Sequence, residues 1–300
     1  MKRTYDLTEK EQKIFENLER QVEKIYKHNR QGSYHTRNKY EAESKLFCKF
    51  LSKEFKLQAF KNIGDKHVLA YIRFMQTSDL SPSTIKDRLS IIRFTHDKVD
   101  QPKHRISSNS AFDLEKRTFG GVARAWSNNE YERFCALAIE RGNDRITSIA
   151  ILAKNEGLRI HETLKIDRSQ AEKALQTNIL TIKGKGGKIR DVPLSSESRR
   201  LLTDCIKEVD RGQKLFVERD EKTHLVIKQM QNWINRNRDQ FKDQDLDKVN
   251  ITFHGLRHAY AQAMYEALKD QGKSDIKARE EVSKLLGHER DDVTRIYLAR

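Results

Sequence analysis

Apolar residues recur at three- and four-residue intervals through the N-terminal third of the chain, which is the spacing of helices that bury one face. Pro82 suits the first turn of a helix, and Gly64-Asp65 breaks the pattern before it. The spacing predicts four helices, over Leu7–Tyr26, Tyr40–Phe55, Val68–Met75 and Ser81–Phe94. We therefore expect a four-helix N-terminal domain.

A polar segment between Val99 and Ala125 interrupts the periodic pattern and ends near the pair Gly120-Gly121. Its serine, proline and glycine content is typical of a linker. Ser127, followed three residues later by Glu130, forms the capping-box pattern that starts a helix. The sequence therefore predicts a helical domain over residues 1–105, a linker over residues 106–124 and a second domain over residues 125–300.

The second domain contains one stretch that is not helical. Residues 178–183 and 188–193 read as two short strands around Gly184-Lys-Gly-Gly187, which is a hairpin pattern. Helical spacing returns near Ser195 and predicts further helices over Val226–Phe241, His254–Leu268, Ile276–Leu286 and from Asp292 onward. We expect a mainly α protein whose second domain is mixed α/β.

Composition narrows the class of protein. Three hundred residues suit two domains of about 100–200 residues each. Lys and Arg outnumber Asp and Glu by 59 to 44, and the resulting charge of +15 favours a polyanionic partner such as nucleic acid. No apolar run approaches the ~18 residues of a membrane span. We expect a cytoplasmic, nucleoid-associated protein that does not bind a membrane.

A basic run near the end of the first predicted helix has two interpretations. Lys27, Arg30, Arg37 and Lys39 lie close together in sequence. Such a run is more often a solvated face, but it also suits a clamp on duplex phosphates. We retain these four residues as candidate DNA contacts.

Several residues of the second domain suit cleavage of a phosphodiester without a metal ion. That chemistry needs a nucleophile, cations that hold the charge on the phosphate oxygens, and an acid for the leaving oxygen. The segments Gly157-Leu-Arg159-Ile-His-Glu162, His254-Gly-Leu-Arg257-His258, Leu285-Leu-Gly-His288 and Arg295-Ile-Tyr297 contain such groups.

Two other sites rank low. His254 and His258 lie four residues apart, but the sequence shows no third ligand for zinc. The glycine-rich segment at Gly184 lacks the spacing of a nucleotide phosphate loop. We expect neither a metal nor a cofactor.

These segments, in this order, resemble the tyrosine recombinase (phage integrase) family. The match joins the arginine box at Arg159, a hairpin lysine, the His-x-x-Arg pair, a Leu-Gly-His and a tyrosine nine residues beyond that histidine. It covers roughly residues 127–300. The N-terminal region resembles the family's core-binding (SAM-like) domain only in size and helical character.

The resemblance implies roles for the cations. Arg159 and Arg257 would clamp the scissile phosphate, because a guanidinium matches two phosphate oxygens and stays charged. Lys185 would protonate the 5′ leaving oxygen. Lys183 and Lys188 are the fallback candidates for that role and further candidate DNA contacts.

The resemblance also implies roles for the remaining residues. Tyr297 would attack phosphorus and form a 3′-phosphotyrosine, which stores the bond energy without ATP. His254 and His288 would hydrogen-bond the phosphate or assist the tyrosine proton. Glu162 would orient the surrounding cations.

The implied partner is double-stranded DNA with specific recombination sites, bound by dimers or tetramers that exchange strands through a Holliday junction. We expect integration or excision of a mobile element, with accessory DNA-bending or directionality factors as further partners. Three residues follow Tyr297, where family members continue into a tail helix that docks on a neighbouring protomer. Either that helix was removed or another surface supports assembly.

Two alternatives share much of this pattern. A type IB topoisomerase uses the same nucleophile and cations but relaxes supercoils without joining two sites. A catalytically silent DNA-binding protein on the same fold would be expected to lack Tyr297 or one of the arginines. The small size of the chain and its Leu-Gly-His box favour the recombinase over the topoisomerase, and the filled candidate positions argue against a silent protein.

Overall fold

The computed structural model describes residues 6–117, 122–184, 187–244, 251–287 and 291–299. The chain forms two compact units, Met1–Thr118 and Phe119–Arg300, and the division lies within the segment that composition marks as a linker. The described residues are mainly helical, with one two-stranded antiparallel sheet. The expected fold class is confirmed.

Four α-helices build the N-terminal unit, at the positions that the apolar spacing predicts. Helix α2 begins at Tyr34 rather than Tyr40, because the Ser33 side chain accepts a hydrogen bond from the Thr36 N–H and caps a polar first turn. The bounds are α1 Glu9–His28, α2 Tyr34–Phe55, α3 Asp65–Thr77 and α4 Pro82–His96.

The core of this unit follows from one stripe on each helix. On α1 the buried apolar residues are Ile14, Leu18, Val22 and Tyr26, each four positions from the next. They share a core with Phe47 and Leu51 of α2, Tyr71 and Met75 of α3, and Leu89 and Ile92 of α4. Burying each such side chain contributes about 1.5–3 kcal/mol, so the periodic positions hold the four helices together.

The second unit contains the remaining helices and the sheet. The capping box predicted at Ser127 is present and starts α5. The described elements are α5 Asn128–Glu140, α6 Asp144–Asn155, α7 Ile160–Thr163, α8 Arg168–Thr177, β1 Ile179–Lys183, β2 Ile189–Pro193, α9 Ser196–Glu208, α10 Thr223–Phe241, α11 His254–Asp270, α12 Asp275–Leu286 and α13 Asp291–Tyr297.

The two strands form the predicted hairpin. Leu180 pairs with Val192 and Ile182 with Arg190, and these four residues face the protein interior. Since side chains alternate along a strand, the intervening residues face solvent. The hairpin thereby buries one charged residue, Arg190, in an otherwise apolar row.

Helix α11 carries the candidate catalytic residues His254 and Arg257 and packs against α6, α12 and α13. Trp126 fixes its start, since the indole N–H donates to the Thr252 carbonyl at 2.8 Å. The Trp126 ring packs on Phe134 and Phe241 in the core of the unit. In the part of the chain that the structure describes, no helix has the length and apolar character to cross a membrane.

Candidate active site

Arg159 and Glu162 are positioned by a single helical turn. Arg159 is the N-cap of α7, and its backbone N–H donates to Glu162 Oε2 at 2.9 Å. The Arg159 Nη1 also donates to Glu162 Oε1 at 2.9 Å. The spacing of the Arg-x-x-Glu motif therefore places a buried carboxylate directly behind a partly exposed guanidinium.

Glu162 also accepts two hydrogen bonds from Arg190, at 3.1 and 2.7 Å. Burial alone would raise the pKa of the Glu162 carboxyl, but the hydrogen bonds and charges of Arg190 and Arg159 outweigh it and hold that pKa at about 2. The carboxylate is therefore ionised at any physiological pH.

Gly157 explains the first position of the Gly-Leu-Arg motif. Its φ of +62° lies in the left-handed region, and a Cβ there would overlap the Tyr260 ring. The Gly157 carbonyl accepts a hydrogen bond from Arg257. This turn thus links the Arg159 segment to α11.

Arg257 is wholly buried beneath the site. It donates to the carbonyls of Gly157 and Leu286, and its Nη1 lies 3.9 Å from Glu162 Oε2. Burial and the positive charge of Arg159 lower the pKa of Arg257 to about 10, so it remains a cation at neutral pH. Its charge lies 5.5 Å from the centroid of the Tyr297 ring.

The structure brings Tyr297 and His254 together across 43 positions of sequence. The Tyr297 hydroxyl lies 2.9 Å from His254 Nε2. His254 and Arg159 both line a cavity of about 360 Å³. Desolvation and the charges of His258, Arg257 and Arg159 lower the pKa of His254 to about 4, although part of the residue is exposed to solvent. A neutral imidazole therefore stands beside the tyrosine hydroxyl at neutral pH.

His258 supports the tyrosine from the other side. Its ring stacks on Tyr297 with centroids 4.3 Å apart and planes at 20°. Burial lowers the pKa of His258 to about 4. A hydrogen bond to the Tyr297 backbone favours the charged form and offsets part of this effect. The two histidines of the His-x-x-Arg-His segment thus hold the ring and the hydroxyl of one tyrosine.

Buried His258 predicts an acid-sensitive fold. Its pKa is about 4 in the folded chain and 6.5 as its ordinary value. The unfolded chain binds the proton first, so the free energy of unfolding should fall by on the order of 3 kcal/mol as pH falls from about 6.5 to 4. Urea unfolding at a series of pH values measures this decline. His258→Phe should make the decline shallower by about this amount and leave the part due to His254, whose pKa is also lowered to about 4.

His224 provides the control, because it lies exposed on α10 of the same unit. His224→Gln should keep the acid decline of the wild type. An equally steep decline in His258→Phe would contradict the assignment to His258.

Other predicted site residues are placed as follows. Lys185 and His288 lie outside the described residues. Lys183 and Lys188 are exposed on the hairpin. In the N-terminal unit Lys27, Arg30 and Lys39 are exposed, and Arg37 is half-buried and donates to the Asn29 carbonyl at 3.4 Å.

Two residues of the site were missed by sequence reasoning. Arg190 was read only as part of a strand, although a charged residue on the same face as Val192 is a signal of a buried partner. His258 was weighed only as a metal ligand. The partners of both lie far away in sequence, at Glu162 and Tyr297, where local spacing carries no information.

Comparison with known proteins identifies this architecture. Residues 126–300 match the Phage integrase family, and residues 15–100 match the N-terminal domain described as Phage integrase, N-terminal. The chain belongs to the phage integrase family. As the motifs predict, it is a site-specific tyrosine recombinase.

Three known proteins illustrate the likeness. Tyrosine recombinase XerC of Natranaerobius thermophilus is 24% identical over 280 residues, which cover 88% of each chain. The XerH recombinase in a post-cleavage complex with palindromic difH aligns with a TM-score of 0.63 at 21% identity, covering 94% of this chain and 81% of that one. A lambda integrase dimer bound to a COC′ core site aligns with a TM-score of 0.63 at 15% identity, covering 98% and 81%.

Proposed function

We propose that this recombinase cuts and rejoins double-stranded DNA at specific sites, with Tyr297 as nucleophile and His254 as the acceptor of its proton. The observation that carries the proposal is the 2.9 Å contact between the Tyr297 hydroxyl and His254 Nε2, beside Arg159 and Arg257. The DNA complexes of the XerH and lambda integrase structures support duplex DNA as the partner.

Cleavage begins when the Tyr297 oxygen attacks phosphorus. The phosphorus–tyrosine bond forms, the bond to the 5′ oxygen breaks, and the tyrosine proton passes to His254. A pKa of about 4 keeps His254 neutral at pH 7, so its ring nitrogen is available for that proton. The chain's own residues thus supply the nucleophile and the proton acceptor.

The remaining groups stabilise charge and release the leaving strand. Arg159 and Arg257 balance the charge that builds on the non-bridging oxygens. Lys185 donates a proton to the 5′ oxygen, with Lys183 and Lys188 as alternatives, and His288 assists at the phosphate. In the reverse step a 5′ hydroxyl attacks the phosphotyrosine, which restores a phosphodiester without ATP.

Recombination requires two sites and several protomers. Dimers would bind each site, and a tetramer would exchange strands in pairs through a Holliday junction. The lambda integrase dimer on its core site supports the dimeric step. We propose that the recombinase acts at the nucleoid and integrates or excises a mobile element. Accessory DNA-bending or directionality factors would be further partners.

A plasmid carrying two copies of a candidate site tests this function against its rivals. Duplexes tiled across the DNA that flanks the coding sequence are first screened for tight binding and then cloned in pairs. The wild-type chain should excise or invert the DNA between the two sites, and its Tyr297→Phe variant should not.

The other two functions give distinct results in the same assay. A topoisomerase would relax the supercoiled plasmid without excising or inverting the DNA between the sites. A silent DNA-binding protein would bind the sites and yield neither product. Either result would overturn the proposed function.

A further inference from the structure

Arg190 is a buried charge in the second unit. It lies on the inward face of β2, opposite Ile182, and is 9% exposed. Burying a guanidinium is costly unless a carboxylate pairs with it. Its partner is Glu162, whose side chain is fully buried.

The hydrogen bonds around Glu162 are shared evenly between two arginines. Oε1 accepts from Nη1 of Arg190 at 3.1 Å and from Nη1 of Arg159 at 2.9 Å. Oε2 accepts from Nη2 of Arg190 at 2.7 Å and from the backbone N–H of Arg159 at 2.9 Å. The orientation of the Glu162 carboxylate therefore depends on Arg190, and the direction of the Arg159 guanidinium depends on that carboxylate.

Two glycines leave room for the Arg190 side chain. A Cβ at Gly184, in the hairpin, would lie 3.4 Å from Arg190 Nη1 and 3.2 Å from Glu162 Oε1. A Cβ at Gly287, which ends α12, would lie 3.1 Å from Arg190 Cδ. The Arg190 side chain thus fills the space between the hairpin and the end of α12.

We infer that Arg190 is a positioning residue of the recombinase, which fixes Glu162 and through it aims Arg159 at the scissile phosphate. The inference rests on the proposed function of Arg159. Lysine at position 190 would keep the positive charge but lose the paired hydrogen bonds. Arg159 would then lose its fixed direction while the fold keeps its buried charge balance.

A second substrate distinguishes a wrongly oriented Arg159 guanidinium from a general loss of activity. In a methylphosphonate a neutral methyl group replaces one charged non-bridging oxygen, so less negative charge must be stabilised by an arginine. Single-turnover cleavage is measured on a nicked duplex with a phosphodiester and on the same duplex with a methylphosphonate at the scissile position. A defect of Arg159 positioning should shrink on the methylphosphonate.

Arg190→Lys should cleave the phosphodiester on the order of 10²-fold more slowly than the wild type, the size of effect for one lost donor to a developing oxyanion. On the methylphosphonate the same ratio should fall below about 10-fold. Arg159→Ala should show the same dependence on substrate, with a larger loss. Affinity for the intact duplex should be unchanged in Arg190→Lys, because Arg190 is buried and keeps its positive charge.

Arg199→Lys is the matched control, because Arg199 also hydrogen-bonds within this unit, to the Leu175 carbonyl, but outside the site. It should cleave like the wild type. If Arg190→Lys fails to fold, Arg190→Gln supplies the measurement, because Arg159 and Arg257 still face the Glu162 carboxylate and compensate its charge.

A defect of Arg190→Lys that is equal on both substrates, or no defect at all, would overturn the positioning role. Failure of the proposed function looks different. In that case the wild type itself would form no adduct on either duplex.

Discussion

Tyr297→Phe is expected to abolish covalent attachment to DNA, with cleavage reduced by at least about 10⁴-fold, as for other lost nucleophiles. The substitution removes the attacking oxygen and the 2.9 Å contact with His254, but keeps the ring that stacks on His258. Folding and duplex binding should therefore survive. Gel separation of adduct under denaturing conditions measures the loss, and a gel-shift titration measures binding.

Tyr265→Phe is the matched control for this variant. Tyr265 also lies on α11, and its hydroxyl donates to Asp275 at 2.6 Å on the protein surface. Its loss should leave cleavage unchanged. Adduct formation by Tyr297→Phe at the wild-type rate would show that another residue is the nucleophile.

Gly255→Ala is expected to destabilise the second unit by at least about 3 kcal/mol, the upper range for overpacking. Gly255 lies in the first turn of α11, next to the segment that leads into α5, and a Cβ there would overlap the Arg124 carbonyl and the Trp126 ring. The backbone N–H of Trp126 also donates to the Gly255 carbonyl at 3.4 Å. Urea unfolding followed by tryptophan fluorescence measures the change.

Gly142→Ala separates a close contact from a general effect of adding a methyl group. Gly142 has a φ of +62° but no atom within 4 Å of its Cβ position. It should cost only about 1 kcal/mol, from the left-handed backbone. Equal losses of unfolding free energy in the two variants would contradict the close contact of residues 124–126 with α11.

Much of the fold could be predicted because its signals are local. The four-residue spacing on α1, the capping box at Ser127 and the glycine turn after Lys183 each specify an element within a few residues. The apolar spacing does not reveal α6, α7 or α8, the three helices on either side of Arg159. Helix α7 has only four residues, too few for a period to show.

The site was predictable as a set of residue types but not as a set of contacts. The order of motifs marked Arg159, His254, Arg257 and Tyr297, and the structure gathers them within one unit. Which carboxylate oxygen each arginine contacts depends on long-range packing. So does the stacking of His258 on Tyr297.

Arg257 illustrates the difference between motif and structure. The motif predicts a phosphate clamp, and that role stays a prediction. The structure places the side chain fully buried, with its guanidinium on the carbonyls of Gly157 and Leu286. Burial of this kind arises from the packing of α11 against α12 and the Gly157 turn, which no local pattern describes.

In the proposed reaction Tyr297 forms the bond to DNA without a metal ion. The most direct measurement traps the wild-type chain on a nicked duplex in the presence of EDTA, digests the adduct with protease and locates the modified residue by mass spectrometry. The expected product is a nucleotide linked through its 3′ phosphate to Tyr297, in undiminished yield. A nucleotide on any other residue, or an adduct that EDTA prevents, would contradict it.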